Sequence, residues 1–349
     1  MTSYSSRSIT GPTPVTPSPG GRPVRRDPAE GARRYKQWLL NPVSAEGVVA
    51  RHRARFALNG PEVARQVEQM RHDPIGRRVL ADRPDLGAAL SDMSALATMP
   101  EGSLGREYHT FMDRPEVIPS ALLASLLHTD GHFERLAWSD EMKFVVERRT
   151  QTHDLTHVLS GYGTSFPAEA INIAFSYAIE GTSGTRAMAE LLAGLTFAVM
   201  APSVGARRWR QLVLAAAVRG ETAARRRPLQ FAYIEELLPL PLDEARTELA
   251  IPPLAAPVDA PESWIRNPIG KKMAHGYGNV DPADRDLEVA LTLFRSGATS
   301  ADIGRADRTL RDELRRRLDA GESPSDVVTK LAAGAESLRA ADHLAVHER

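Results

Sequence analysis

Between Ala29 and Glu248 the apolar residues recur at spacings of three and four, with few alternating runs, which is the pattern of helices rather than strands. The periodicity predicts helices over 29–40, 44–57, 60–71, 74–81, 118–127, 139–160, 167–180, 185–201, 206–219 and 228–238. No stretch meets the strand template of short β-branched or aromatic alternation. The expected fold class is all-α: a multi-helix core with a small C-terminal helical extension. The most apolar piece, Leu191 to Ala206, carries no charged residue and contains Pro202. It falls short of the ~20 residues needed to span hydrocarbon. A buried core helix is the first expectation, and a lipid-pocket wall or monotopic membrane contact the second.

The ends read differently from the middle. Residues 1–30 are dominated by Ser, Thr, Pro, Gly and Arg, too few of them apolar to offset the entropy of ordering, and are expected to form a disordered tail. No charged start followed by an apolar run marks a secretory signal, so the expected location is cytoplasmic, or peripheral on the inner face of the membrane. Pro252, Pro253, Pro257, Pro261 and Pro268 mark a linker over 254–268, separating a helical domain over 31–253 from a helical extension over 269–349. Within that extension Phe294 to Ile303 and Leu318 to Val327 repeat in register at 24 residues, each with a glycine that ends one helix and a hydroxyl residue that can cap the next. The resulting helix-turn-helix likeness carries Asp302, Asp307, Asp312, Glu313 and Asp326, which oppose phosphate contact.

Charge and composition narrow the chemistry. Forty-four basic residues balance forty-four acidic ones, so no global field favours nucleic acid, and none is expected as a partner. The chain has no cysteine, which removes disulfides, iron–sulfur clusters and thiolate metal sites. Any metal must be held by nitrogen and oxygen, and ten histidines become the residues to place.

Two of them stand apart. Ser139 can cap a helix whose first turn holds Asp140 and Glu141, and Gly161 can end it, so His153 and His157 share one helix face within reach of a common ion. Asp154, three residues before His157, can join that face. Pro167 suits the first turn of the next helix and puts Glu169 in that turn, where a carboxylate is favoured. Four donors thus converge from adjacent helix ends. A His-x-x-x-His pair is weakly specific by itself. The zinc-protease signature has Glu where this chain has Asp154. The His153-Asp154 dyad also fits a phosphohydrolase, for which His128, Asp130 and His132 are the upstream candidates. His109, His128 and His132 are otherwise expected to make local hydrogen bonds.

The set His153-Asp154-x-x-His157, followed after eleven residues by Glu169, resembles the signature of the Coq4 family of ubiquinone-biosynthesis proteins. Pro100-Glu101-Gly102-Ser103-Leu104-Gly105-Arg106-Glu107-Tyr108 and Leu240-Pro241-Leu242-Asp243-Glu244-Ala245-Arg246 are similar to two further family segments, so the likeness covers about residues 35–253. Ala168 stands where the family has glycine, and 1–30 and 254–349 have no counterpart in it. The resemblance implies a helical protein whose His153, Asp154, His157 and Glu169 ligate a divalent metal, zinc or alternatively iron. It implies oxidative decarboxylation at ring carbon 1 of a polyprenylated hydroxybenzoate, with a prenylated aromatic ligand, quinone-biosynthesis proteins as partners and a peripheral membrane contact. A homo-oligomer is also expected. The rivals are a non-catalytic lipid-binding scaffold and a tailoring enzyme for a different aromatic acid. Arg106, Tyr108 and Tyr162 are candidate substrate-binding residues, since arginine forks onto carboxylates and phosphates. Arg148 or Arg149, one turn before His153, is expected to pair with Asp154.

Overall fold

The computed structural model describes residues 24–40, 45–114, 131–226 and 228–254, together with Ala320. Among them the chain forms thirteen α-helices and no strand, as the all-α expectation requires: α1 (Pro28–Leu40), α2 (Ala45–His72), α3 (Pro74–Asp82), α4 (Leu86–Ser91), α5 (Met93–Thr98), α6 (Leu104–Met112), α7 (Asp140–Gln151), α8 (His153–Ser160), α9 (Phe166–Glu180), α10 (Ser183–Val204), α11 (Ala206–Arg226), α12 (Ile234–Leu237) and α13 (Leu242–Glu248). A single 3-10 turn, Leu229–Phe231, precedes α12. The predicted helix over 118–127, most of the N-terminal tail, the linker and the extension over 269–349 lie outside the described residues.

Helix α9 is the centre of the molecule. Apolar residues surround it on every side and nearly all of it is buried, as expected of a helix with no polar face to turn to water. It packs against α11, α10 and α8. Its contact with α11 is close because Gly220 has no side chain: a Cβ there would stand 2.3 Å from the Phe175 carbonyl. Around α9 one large apolar cluster gathers Trp38, Leu90, Leu104, Tyr108, Leu155, Phe175 and Trp209. A second cluster, with Phe56, Val67, Met70, Phe133, Trp138 and Val145, sits between α2, α3 and α7.

The departures from the predicted boundaries have local causes. The segments 44–57 and 60–71 form one helix that continues through Pro61. A proline there loses a hydrogen bond and crowds the preceding turn; α2 offsets this by feeding both apolar clusters and by accepting the Gly184 backbone N–H on Asn59 Oδ1 at 2.5 Å. The predicted helix over 139–160 breaks at Thr152, whose hydroxyl donates back to the Arg149 carbonyl at 2.8 Å and competes with the regular ladder. Helices α4, α5 and α6 are too short to show a period. They are set by caps, with Asp85, Asp92 and Ser103 accepting backbone N–H groups of the first turn. Over 228–238 only the 3-10 turn and the single turn of α12 form.

Helix α10 corrects the expected length of the apolar piece. It runs for 22 residues, so by length and composition it is apolar enough to cross a membrane, and 33% of its most apolar stretch is buried. Within this fold it packs on α2, α9 and α11.

Candidate metal centre

The site is built where α8 meets the start of α9. Helix α8 opens on His153 directly after the Thr152 break, and Gly161, at φ 75°, closes it with its N–H on the His157 carbonyl at 2.8 Å. That left-handed conformation strains any residue with a side chain. One turn apart, the two imidazoles meet edge to face at 5.1 Å. Ser165 caps α9 through the Ala168 N–H, which leaves Glu169 in the first turn, as predicted. Its carboxylate spans both rings: Oε1 lies 3.3 Å from His153 Nε2 and Oε2 lies 3.0 Å from His157 Nε2.

One ligand atom from each of His153, His157 and Glu169 lies within 4.8 Å of the others. His157 Nδ1 is 3.1 Å from the carbonyls of both Tyr162 and Gly163. A carbonyl only accepts, so Nδ1 carries a proton there; Nε2 faces the Glu169 carboxylate and can offer its lone pair to a cation once its own proton is displaced, the arrangement by which outer partners orient a ligating histidine. Two imidazole nitrogens and a carboxylate form a donor set that fits a divalent ion without thiolate help. Burial alone would lower the His157 pKa, but the Glu169 carboxylate more than offsets it and the pKa is raised. For Glu169 burial would raise the pKa; His153 and His157 outweigh this and hold it well below the usual carboxylate range. The trio is therefore a charge-complementary cluster in which a cation can take the place of imidazole protons.

A second layer fixes α8 against α9. Asn172 Nδ2 donates to Thr156 Oγ1 at 3.0 Å, Ser176 reaches the same hydroxyl at 3.4 Å, and Ser160 Oγ donates to Asn172 Oδ1 at 3.2 Å. The free carbonyls at the C-terminus of α8 are taken by arginines: Arg246 binds those of Val158 and Leu159, and Arg219 that of Ser160. A cation at this helix end also complements its dipole. The two family-like segments around Ser103 and Pro241 come together through backbone bonds, Leu104 N to Leu240 O and Gly105 N to Leu238 O, both at 2.8 Å. They thereby anchor α6, whose Phe111 ring stacks on His157 at 5.6 Å.

Of the four predicted ligands, three are gathered. Asp154 is buried beside the site, with its charge felt at His157 and Tyr108, but it is not among the mutually close donors. Tyr108 is fully buried with no hydrogen-bond partner for its hydroxyl; burial first, and the Asp154 charge second, keep that hydroxyl protonated well above its usual range. Tyr162 is buried against Phe175 with Arg219 over its ring, while Arg106 donates to the Ala97 carbonyl. Arg148 forks onto Glu235 with two 2.7 Å bonds, and Arg149 lies 3.5 Å from Glu180, so both engage partners other than the expected Asp154. His109 and His132 are half-buried and apart from the trio, and His128 and Asp130 lie outside the described residues. Sequence reasoning missed the roles of Phe111, Arg219 and Arg246; the place of Phe111 and Arg246 in or beside family-like segments was the signal that could have found two of them.

The family profile described as Coenzyme Q (ubiquinone) biosynthesis protein Coq4 matches residues 40–255. The human ubiquinone biosynthesis protein COQ4 homolog, mitochondrial, is 34% identical over 137 residues, which are 39% of this chain and 45% of the human one. The chain thus spans under half the length of that relative. The mitochondrial ubiquinone biosynthesis protein coq4 of Aspergillus fumigatus is 31% identical over 213 residues, 61% of this chain and 68% of its own. A crystal structure from Nostoc punctiforme, put forward as a ubiquinone biosynthesis protein, aligns with a TM-score of 0.45 at 17% identity, over 66% of this chain and all of that one. The mitochondrial placement of the relatives overturns the cytoplasmic expectation. A missing apolar run speaks only to secretory leaders, whereas mitochondrial import segments are rich in Ser and Arg and poor in acids. By its match over well over half of its length, this chain belongs to the Coq4 family.

Proposed function

We propose that this chain acts in ubiquinone biosynthesis on a lipophilic hydroxybenzoate precursor, in oxidative decarboxylation at ring carbon 1. The observation that carries this reading is the His153, His157 and Glu169 trio, half-buried at His153 and buried at the other two, with the His157 ring oriented by two carbonyls at Nδ1. These three, with Asp154 as the fourth expected donor, would hold a divalent cation, zinc or ferrous iron. When bound, zinc supplies a Lewis acid beside the ring, and iron would supply a centre open to dioxygen. The side chains around the site hold their charges and protons for this work. Glu169 stays ionised, His157 keeps its Nδ1 proton on two carbonyls, and Tyr108 keeps a hydroxyl proton free to donate beside Asp154. Phe111 covers one face of His157 and keeps water from it. The length and apolar composition of α10, with its half-buried Leu191, Leu195 and Phe197, support a prenylated aromatic ligand and a peripheral membrane contact; other quinone-biosynthesis proteins and further copies of the chain are the proposed partners.

The test is to express His153→Ala and Glu169→Ala separately in cells lacking their own family member, with metal content and ring-carbon-1 products followed by mass spectrometry. Loss of metal together with accumulation of the carboxylated precursor is expected. Full product formation by both variants would defeat the enzymatic reading and favour a scaffold.

A further inference from the structure

A small, partly enclosed cavity is lined by Arg51, His52, Arg55, Arg149, Ser176 and Glu180 among others, His153 included. Its free space is about 20 Å³. A single water needs roughly 10–15 Å³, so it takes one oxygen-sized group and excludes a ring.

The lining holds three guanidiniums against one carboxylate. Glu180 is already engaged, receiving Arg55 Nη2 at 3.1 Å and the Thr185 hydroxyl at 2.7 Å. Arg149 is almost wholly buried, yet its Nε, 3.5 Å from Glu180, and its Nη1 have no hydrogen-bond partner. Nor do the Nε atoms of Arg51 and Arg55, or either ring nitrogen of His52, which is 2% exposed. Buried polar groups are almost always paired, so the idle N–H donors of Arg51, Arg55 and Arg149, with one more from the neutral His52 ring, mark a site rather than an accident of packing. Guanidinium nitrogens donate and never accept. A neutral water leaves the excess guanidinium charge uncompensated, whereas an anion's oxygen accepts only, carries the compensating charge and suits the arginine fork. Burial, helped by Arg51 and Arg55, keeps His52 from adding a further charge.

We propose that this cavity is an anion subsite that receives a carboxylate oxygen of the ligand, gripped by Arg149 and Arg51 and steered toward His153. The assignment of that anion to the ligand of the candidate metal centre rests on the function proposed above; the cationic cavity stands on its own unpaired donors.

The experiment is calorimetric titration of the full chain with 4-hydroxybenzoate and with its uncharged counterpart 4-hydroxybenzamide, before and after metal removal by chelation. The acid is expected to bind at least tenfold tighter than the amide in both states. Arg149→Met is expected to reduce that preference below threefold, and Arg149→Lys to restore part of it. Arg51→Gln, at a half-exposed position, gives the same reading should Arg149→Met fail to fold. Equal binding of acid and amide, no binding of the acid at millimolar concentration, or a preference unchanged by both substitutions overturns the subsite. A preference that vanishes on chelation assigns the anion to the metal instead and also overturns it. A preference that persists in protein shown never to bind metal supports the subsite while removing the metal reading. Inorganic phosphate that outcompetes the acid tenfold overturns the carboxylate assignment.

Discussion

Helix α9 carries a glutamate at each end, Glu169 buried and Glu180 partly so, and the contrast between them separates a candidate reaction site from a structural ion pair. Glu169 and Glu180 both ionise below the usual range although burial pushes both upward. Glu169 achieves this with His153 and His157, groups that can shed a proton and offer a lone pair. Glu180 achieves it with Arg55 and Arg149, which remain charged and can offer none. The same direction of shift thus hides opposite chemistries: one end can exchange protons for a cation, while the other can only neutralise charge. The perturbed carboxylate alone does not mark the site; the identity of its partners does.

The largest effect that tests this contrast is expected at Glu180. Glu180→Ala leaves Arg55 and Arg149 buried without their carboxylate, and we expect a loss of about 3–5 kcal/mol in urea unfolding, the scale for breaking a buried pair. A loss under about 1 kcal/mol would show that the pair is not structural.

Next is Glu169→Gln, which keeps size and removes charge. Metal affinity should fall by more than the ~100-fold seen when even outer partners of a ligand are lost, while the fold of chelated protein survives. Zinc titration and elemental analysis of purified protein decide this, and unchanged metal content would remove Glu169 from the ligand set.

The two ends should also differ in pH response. Both glutamates lend stability that is present above the unfolded carboxylate pKa of 4.5 and is lost as pH falls through their lowered folded values. His157 has the opposite sign: its raised pKa lends the metal-free protein stability that is full below pH 6.5 and fades as pH climbs through the folded value. Because metal must displace that proton, affinity should weaken by about tenfold per pH unit below the His157 pKa. In Glu180→Gln this metal profile should stay as in the parent protein; a profile that moves would show the two ends to be coupled.

The smallest expected effect is at Arg246. Arg246→Ala uncovers the carbonyls of Val158 and Leu159 at the end of α8, which should lower stability by about 1 kcal/mol and metal affinity by roughly tenfold. Arg246→Lys should recover part of both, as read by thermal unfolding and zinc titration.

Much of the metal-site geometry was legible in the residues. The Ser139 cap, the Gly161 terminus, Pro167 in the first turn of α9 and the four-residue histidine spacing are short-range signals, and each behaves in the structure as the chain pattern predicts. The long-range contributors were not. Phe111 reaches His157 across 46 positions and Arg219 reaches Ser160 across 59, and no periodicity encodes such a meeting. Asp154 shows the limit of the helical-face argument. Spacing alone brings it near His157 on α8, yet the close donor set forms without it. The break at Thr152 redirects Arg148 and Arg149 toward Glu235 and Glu180.

By itself the sequence determined the helical class, the absence of thiol chemistry and the family-like ligand pattern, because these follow from local periodicity, composition and spacing. Only the tertiary structure decided that Glu169 and Glu180 face different partners and that idle arginine donors surround a cavity beside His153. Those facts depend on which helix faces pack together. That choice is made by the burial of the whole apolar surface around α9, to which each short segment contributes only a part.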